Sequence, residues 1–144
     1  MSFTTVLSNL ATTLQNNAAL ASFCTTKWGK ALTVKRVYHK RTEINISDLP
    51  ILLITRPMMD KKFYIGARDG HHTVRLYLGF RQEDREKAQA ELVEAEELVD
   101  DAMMAVIPSS LGALNLVPQG SQNDEGEYHP VYFTVMDVMI HHRR

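Results

Sequence analysis

The segment QEDREKAQAELVEAEELVDDAMMAV, residues 82–106, decides the fold. Ala88, Leu92, Ala95, Val99, Ala102, Met103 and Val106 recur at three- and four-residue spacing and make one apolar stripe, which is the pattern of an amphipathic helix. At about 3.6 residues per turn it runs for roughly six or seven turns. Glu83, Asp84 and Glu86 complement the positive end of the helix dipole, and Ile107-Pro108 stops the helix because a residue before proline is pushed out of the helical region. The acidic residues Glu91, Glu94, Glu96, Glu97, Asp100 and Asp101 fall mostly away from the stripe, on a solvated face.

Outward from this helix the periodicity changes to two. Upstream, Val74, Leu76, Leu78 and Phe80 alternate with Thr73, Arg75, Tyr77 and Gly79, so one face of a strand points inward. Ile51 to Thr55 is a short apolar run between Pro50 and Pro57, the pattern of a central strand covered on both faces. Between these two runs, residues 56–70 mix charge, glycine and apolar side chains and read as a long excursion, a connection that in a small domain is usually functional or ordered by a partner. From Leu32 to Ile46, Val34, Arg36, Tyr38 and Lys40 alternate with Lys35, Val37, His39 and Arg41, which predicts a cationic strand at a sheet edge or on a solvated face.

Downstream, a short strand over Leu114 to Val117, a polar turn over 118–127 and a strand over Val131 to Ile140 should pair as a hairpin. Val131, Phe133 and Val135 alternate with Tyr132, Thr134, Met136, Val138 and Ile140, so both faces of the last strand need cover, from helices and from a neighbouring subunit. At the other end Val6, Leu7, Leu10, Leu14 and Ala18 define an amphipathic helix capped by Ser2, Thr4 or Thr5, and Asn17 can cap a second short helical piece. The expected architecture is a single α+β domain over 1–144 in the order α-β-β-β-α-β-β. Its mostly antiparallel mixed sheet of about five strands carries the long helix and the N-terminal helix on one face.

Composition narrows the function. With 44% hydrophobic residues, 144 residues bury one core, and 16 Lys+Arg against 17 Asp+Glu provide no excess charge for binding free nucleic acid. Cys24, the single cysteine, has no internal disulfide partner and sits among apolar residues, which fits an inert buried thiol in a reducing compartment. The start of the chain lacks signal-peptide character and no run approaches the ~18 apolar residues of a membrane span, so folding in a cytoplasm without membrane contact is expected.

No constellation carries evident catalysis or metal binding. His71-His72 and His141-His142 are adjacent pairs on strands, so each pair offers one imidazole per face, and neither has a local carboxylate or thiolate to complete a ligand set. They read as solvated strand-end residues, the second pair in a tail. Glu94 and Glu97 share helical spacing but lack a histidine on the same helix. The glycines do not form a phosphate loop, and Ser109-Ser110 sits in no nucleophile elbow. Cofactors and catalytic residues are therefore not expected.

The element order, the N-terminal Val6-Leu7-Ser8-Asn9-Leu10, the acidic helix Glu83 to Val106 and the closing His129-Pro130-Val131-Tyr132-Phe133-Thr134-Val135-Met136 resemble the tail terminator and minor tail proteins of long-tailed phages. The resemblance covers almost the whole chain. It implies a non-enzymatic subunit that forms a homohexameric ring on the last ring of the tail tube, stops growth and presents a surface to a head completion or connector protein. DNA is involved only as it passes through the ring. The setting implied is the host bacterial cytoplasm during assembly and then the virion tail. In that family the hairpin excursion is typically mobile in the free subunit and ordered by assembly, which singles out Met58, Met59, Lys61, Lys62, Phe63, Tyr64, Ile65 and Arg68 as the subunit or tube contact. Lys35, Arg36 and Arg41 on one surface and Glu94, Glu97 and Asp101 on another are candidate charge-complementary partners in a head-to-tail ring. Two other readings stay open: a different ring of the head-to-tail neck, and a small ligand-binding domain or enzyme whose site draws on scattered residues such as His39, His71 and Glu127.

Overall fold

The structure, a computed structural model, describes residues 2–64 and 67–144, with backbone only for Arg41, 62–64 and Ala67. Helices α1 (Phe3–Gln15) and α2 (Ala18–Trp28) lead into β1 (Thr33–Lys35), two single 3-10 turns, β2 (Ile51–Tyr64) and β3 (Ala67–Arg81). Helices α3 (Arg85–Ala105) and α4 (Pro108–Leu111) follow, then β4 (Asn115–Asn123) and β5 (Val131–Arg143). The strands form one sheet in the order β1-β2-β3-β5-β4, antiparallel except for β1 beside β2. The α+β class, the mixed sheet and the one-sided helix layer expected from sequence are all present.

Local chemistry starts and stops the helices. The Ser2 hydroxyl accepts from the Thr4 amide at 3.2 Å, the Asn17 side chain accepts from Leu20 N–H at 2.9 Å, and Asp84 accepts from Glu86 and Lys87. Gly29 ends α2 at φ 70, a left-handed conformation natural to glycine. Along α3, Ala88, Leu92, Ala95, Val99, Ala102 and Met103 are buried, as the stripe requires. Glu91 is buried beside them, against expectation, because the Gln82 side-chain amide donates to its carboxylate at 2.6 Å.

The core lies between the helices and one sheet face. Val6, Leu10 and Leu14 of α1, Leu20 and Cys24 of α2, and Ala95, Val99 and Met103 of α3 pack with Leu52, Ile54, Val74, Leu76, Leu78, Met136, Val138 and Ile140. Each of the Val, Leu, Ile and Met side chains contributes about 1.5–3 kcal/mol by leaving water. The opposite face holds a smaller cluster, Leu49, Ile51, Leu53 and Phe133, which Ile44, Tyr77 and Val131 border. The coverage of both faces expected for the last strand thus comes from the helices and from the chain's own 36–50 segment.

That segment corrects the first expectation. Instead of a strand over 32–46, only Thr33–Lys35 pairs, and the rest folds over the second sheet face, with Tyr38 against the Tyr77 ring at 5.2 Å. Ile44 borders the Leu49, Ile51, Leu53 and Phe133 cluster, while Val37 and Tyr38 keep about half of their surface in solvent. β2 is an interior strand between β1 and β3, with Ile51 to Ile54 buried on both faces as the apolar run requires, and β3 holds the middle position. The excursion over 56–70 is no loop: β2 and β3 stay paired from Ile51 opposite Gly79 to Tyr64 opposite Ala67, with a register shift between Thr55 and Met58. Pro57, without an N–H, sits in that bulge, so a residue that reads as a strand end is only an interruption. β4 likewise runs through the expected polar turn to Asn123, bulging between Pro118 and Gly120, because an exposed edge strand tolerates polar side chains.

Gly79 faces Phe133 across the β3–β5 ladder, and a Cβ there would stand 2.4 Å from the Phe133 ring. Gly79→Ala is expected to destabilise the protein by about 1–3 kcal/mol in urea unfolding. Phe133→Leu in the same chain should recover part of that loss; a neutral Gly79→Ala would contradict the packing described.

Candidate functional site

The β3–β5 register brings the two histidine pairs together. His71 lies opposite His141 and Gly70 opposite His142, so each sheet face receives two imidazoles, one from each strand. On the face away from the helices the His71 and His141 rings lie 4.5 Å apart. Asp69 beside them is buried and accepts from Arg143 Nε at 2.6 Å and Nη2 at 3.0 Å, with His141 Nε2 at 3.4 Å. The hydrogen bonds from Arg143 hold the Asp69 carboxyl down to about 2, despite the opposing effect of burial. Further along this face Arg75 donates to both Asp137 oxygens, at 2.8 and 3.2 Å.

On the helix side, His72 and His142 are buried, against the expectation of solvated strand ends. Phe3, in the first turn of α1, stacks on His72 with ring centroids 3.5 Å apart and planes 7° from parallel. The C-terminal doublet is strand, part of β5, and not a tail. Burial first, then the charges of Arg56 and the neighbouring histidines, lowers the His72 pKa to about 4, so the ring is neutral at neutral pH. Arg56 Nη1 lies 3.3 Å from His72 Nδ1. A guanidinium only donates, so Nδ1 is the acceptor and the neutral ring carries its proton on Nε2.

A groove of about 950 Å³ opens here, between the first turn of α1 and the base of the β2–β3 hairpin. Its lining includes Phe3, Arg56, Met59, Lys61, Arg68 and His72. Of the contact residues expected from sequence, Met59, Lys61 and Arg68 thus share one groove, while Met58 is 61% exposed outside it. Ile65 and Gly66 lie outside the described residues, as do the side chains of Lys62, Phe63, Tyr64 and Arg41.

The expected charge-complementary surfaces occupy different parts of the chain. Lys35 is half-buried on the β1 edge and Arg36 is exposed just after it, whereas Glu94, Glu97 and Asp101 are exposed on α3. Among the described residues no ion pair joins the two sets; Glu94 instead lies 3.8 Å from Lys27. His39, His71 and Glu127 do not converge: His71 sits at the His141 end of β5, His39 follows Tyr38 in the 36–50 segment, and Glu127 precedes the other end of β5. Burial pushes the Cys24 thiol up to about 12, which suits a core thiol. Met104 and Ile107, 70% and 68% exposed at the C-terminal end of α3, form apolar surface that the sequence reading passed over. Met104 lies off the stripe, which is the signal available for it. No described helix is long and apolar enough to cross a membrane.

No protein-family model matches this sequence, and no curated protein matches it. The chain shares its fold with a virion protein. That protein belongs to a solved structure described as the virion of native gene transfer agent (GTA) particle. It aligns with a TM-score of 0.58 over 94% of this chain and 94% of that one, at 12% identity.

Folded His72 binds its proton near pH 4 and the ordinary side chain near 6.5, so between these values the unfolded chain holds more protons. The stability from the neutral buried ring is complete above about pH 6.5 and is lost as pH falls toward 4, on the order of 3 kcal/mol in all. The Asp69 contribution persists over that range and disappears only as pH falls from 3.8 through about 2. Urea unfolding at a series of pH values should therefore show a shallower slope between pH 6.5 and 4 for His72→Phe than for the native chain. Parallel slopes would contradict a neutral buried ring.

Proposed function

We propose that this chain is a structural protein of a phage or prophage tail. In this reading it assembles as a homohexameric ring on the end of the tail tube, stops tube growth and offers its far surface to a head completion or connector protein. The observation that carries the reading is the fold shared with a gene transfer agent virion protein over nearly the full length of both chains. Fold alone leaves the role open. The surface chemistry supports assembly: exposed Met58, Met104 and Ile107 are apolar anchors, and Lys61 and Arg68 give the hairpin a charged rim. A head-to-tail ring needs two different surfaces on each subunit, and the β1 edge with Lys35 and Arg36 and the exposed acids of α3 meet that requirement. The virion tail and, before it, the host cytoplasm follow as locations, with DNA passing through the ring.

Light scattering across a concentration and salt series is expected to show a concentration-dependent species of about six subunits. Met58→Asp should leave a folded protein that fails to reach this mass. Lys35→Glu with Arg36→Glu should impair assembly at low salt and less so at high salt; unchanged assembly would remove the charge-pairing idea while leaving the ring intact. A monomer at every concentration that also fails to bind purified tail tubes would refute the tail-end role.

A further inference from the structure

Helix α1 begins over His72, and outward of that point the helix-side face of the sheet continues along the hairpin without Phe3 above it. Arg68, Gly70 and His72 alternate along β3 on this face, with Lys61 opposite Gly70 and Met59 opposite His72 on β2. His72 is 2% exposed, and its Nε2, which carries the proton because Arg56 donates to Nδ1, has no hydrogen-bond partner. A buried donor left unpaired is costly and needs an acceptor. Among the described residues no carboxylate pairs with Arg56, Lys61 or Arg68, and the Asp69 carboxylate that borders the groove is already taken by Arg143 and His141.

We propose that this groove binds an acidic, extended peptide segment of a partner protein, one of whose carboxylates accepts from His72 Nε2–H, its proton fixed there by Arg56 on Nδ1, while further carboxylates meet Lys61 and Arg68. Access to Nε2 lies over Gly70. The Met59 terminal methyl and His72 Nε2 stand 2.5 and 2.8 Å from the point a Gly70 Cβ would occupy, so glycine leaves the donor uncovered except by a flexible thioether that can rotate aside. The cations extend outward from this point: Arg68 is four residues along β3 from His72, about 13 Å at roughly 3.3 Å per residue. A single inorganic anion would meet one end of this row, whereas an extended segment meets all of it. The volume of about 950 Å³ and the apolar walls of Phe3, Leu7 and Met59 fit side chains as well as charge. The site overlaps the hairpin contact proposed above but does not depend on a ring, since it belongs to one chain.

The full chain, nitrogen-15 labelled, would be titrated at neutral pH and low salt with a short fluorescent Asp/Glu peptide carrying one leucine. Its Asn/Gln counterpart and inorganic phosphate would be run in parallel. The acidic peptide is expected to bind and to shift the His72 Nε2 resonance, with the Asn/Gln peptide at least tenfold weaker. Arg56→Gln should weaken binding about tenfold or more, and the exposed Lys61→Gln a few-fold with a smaller salt dependence, both proteins remaining folded by circular dichroism. Equal binding of the Asn/Gln peptide, an unmoved Nε2 resonance or undiminished affinity in Arg56→Gln would overturn the proposal. Phosphate that binds as tightly as the peptide and displaces it would also overturn it, making the groove a small-anion site.

Discussion

The antiparallel register of β3 with β5, unbroken from Asp69 opposite Arg143 to Arg81 opposite Val131, is the constraint on which the rest of the molecule depends. It sends Val74, Leu76, Leu78, Val138 and Ile140 to the helices and Thr73, Arg75, Tyr77, Val135 and Asp137 to the other face. A slip of one residue would exchange the two sets, placing the Arg75–Asp137 pair against α1 and α3 and the core aliphatics in water. The register is thus held from both sides, by apolar burial on one face and by bidentate ion pairs on the other. The same alternation splits each adjacent histidine pair and reunites its members across the strands.

What the two faces have in common is that each is covered along only part of its length. The helices end at Phe3, and the 36–50 segment reaches the Leu49, Ile51, Leu53 and Phe133 cluster. The β2–β3 hairpin continues past both. Its inner end is anchored by a neutral, buried histidine and its outer part carries cations, so the transition from core to surface happens within a few residues of two strands. Desolvation governs the first part and Coulomb attraction the second, which is why a modest charge total can still produce a local excess of unpaired cations among the described residues.

Likeness to a virion protein at 12% identity speaks to the backbone and not to the surfaces. At that identity the side chains on an interface are nearly all different, and a ring, a neck component or a binding module can be built on the same sheet. The surface features of this chain are Met58 held outward on β2, the exposed acids of α3, and the groove at the start of α1.

Elements whose signals are local were legible in the order of the amino acids. The stripe from Ala88 to Met103, the cap at Asn17, and the alternation from Val74 to Phe80 depend on neighbours within about one turn or one pleat, so their reading survives folding. The α+β class followed from their order. Tertiary structure alone decided the rest, because the deciding partners are distant in the chain. The 36–50 segment became a cover because a sheet face needed one, and Pro57 became a bulge because β3 continued to pair beyond it. Glu91 entered the core because Gln82 could reach it, and His72 because Phe3 lay down on it. Periodicity records which way a side chain points; only packing establishes what it meets there.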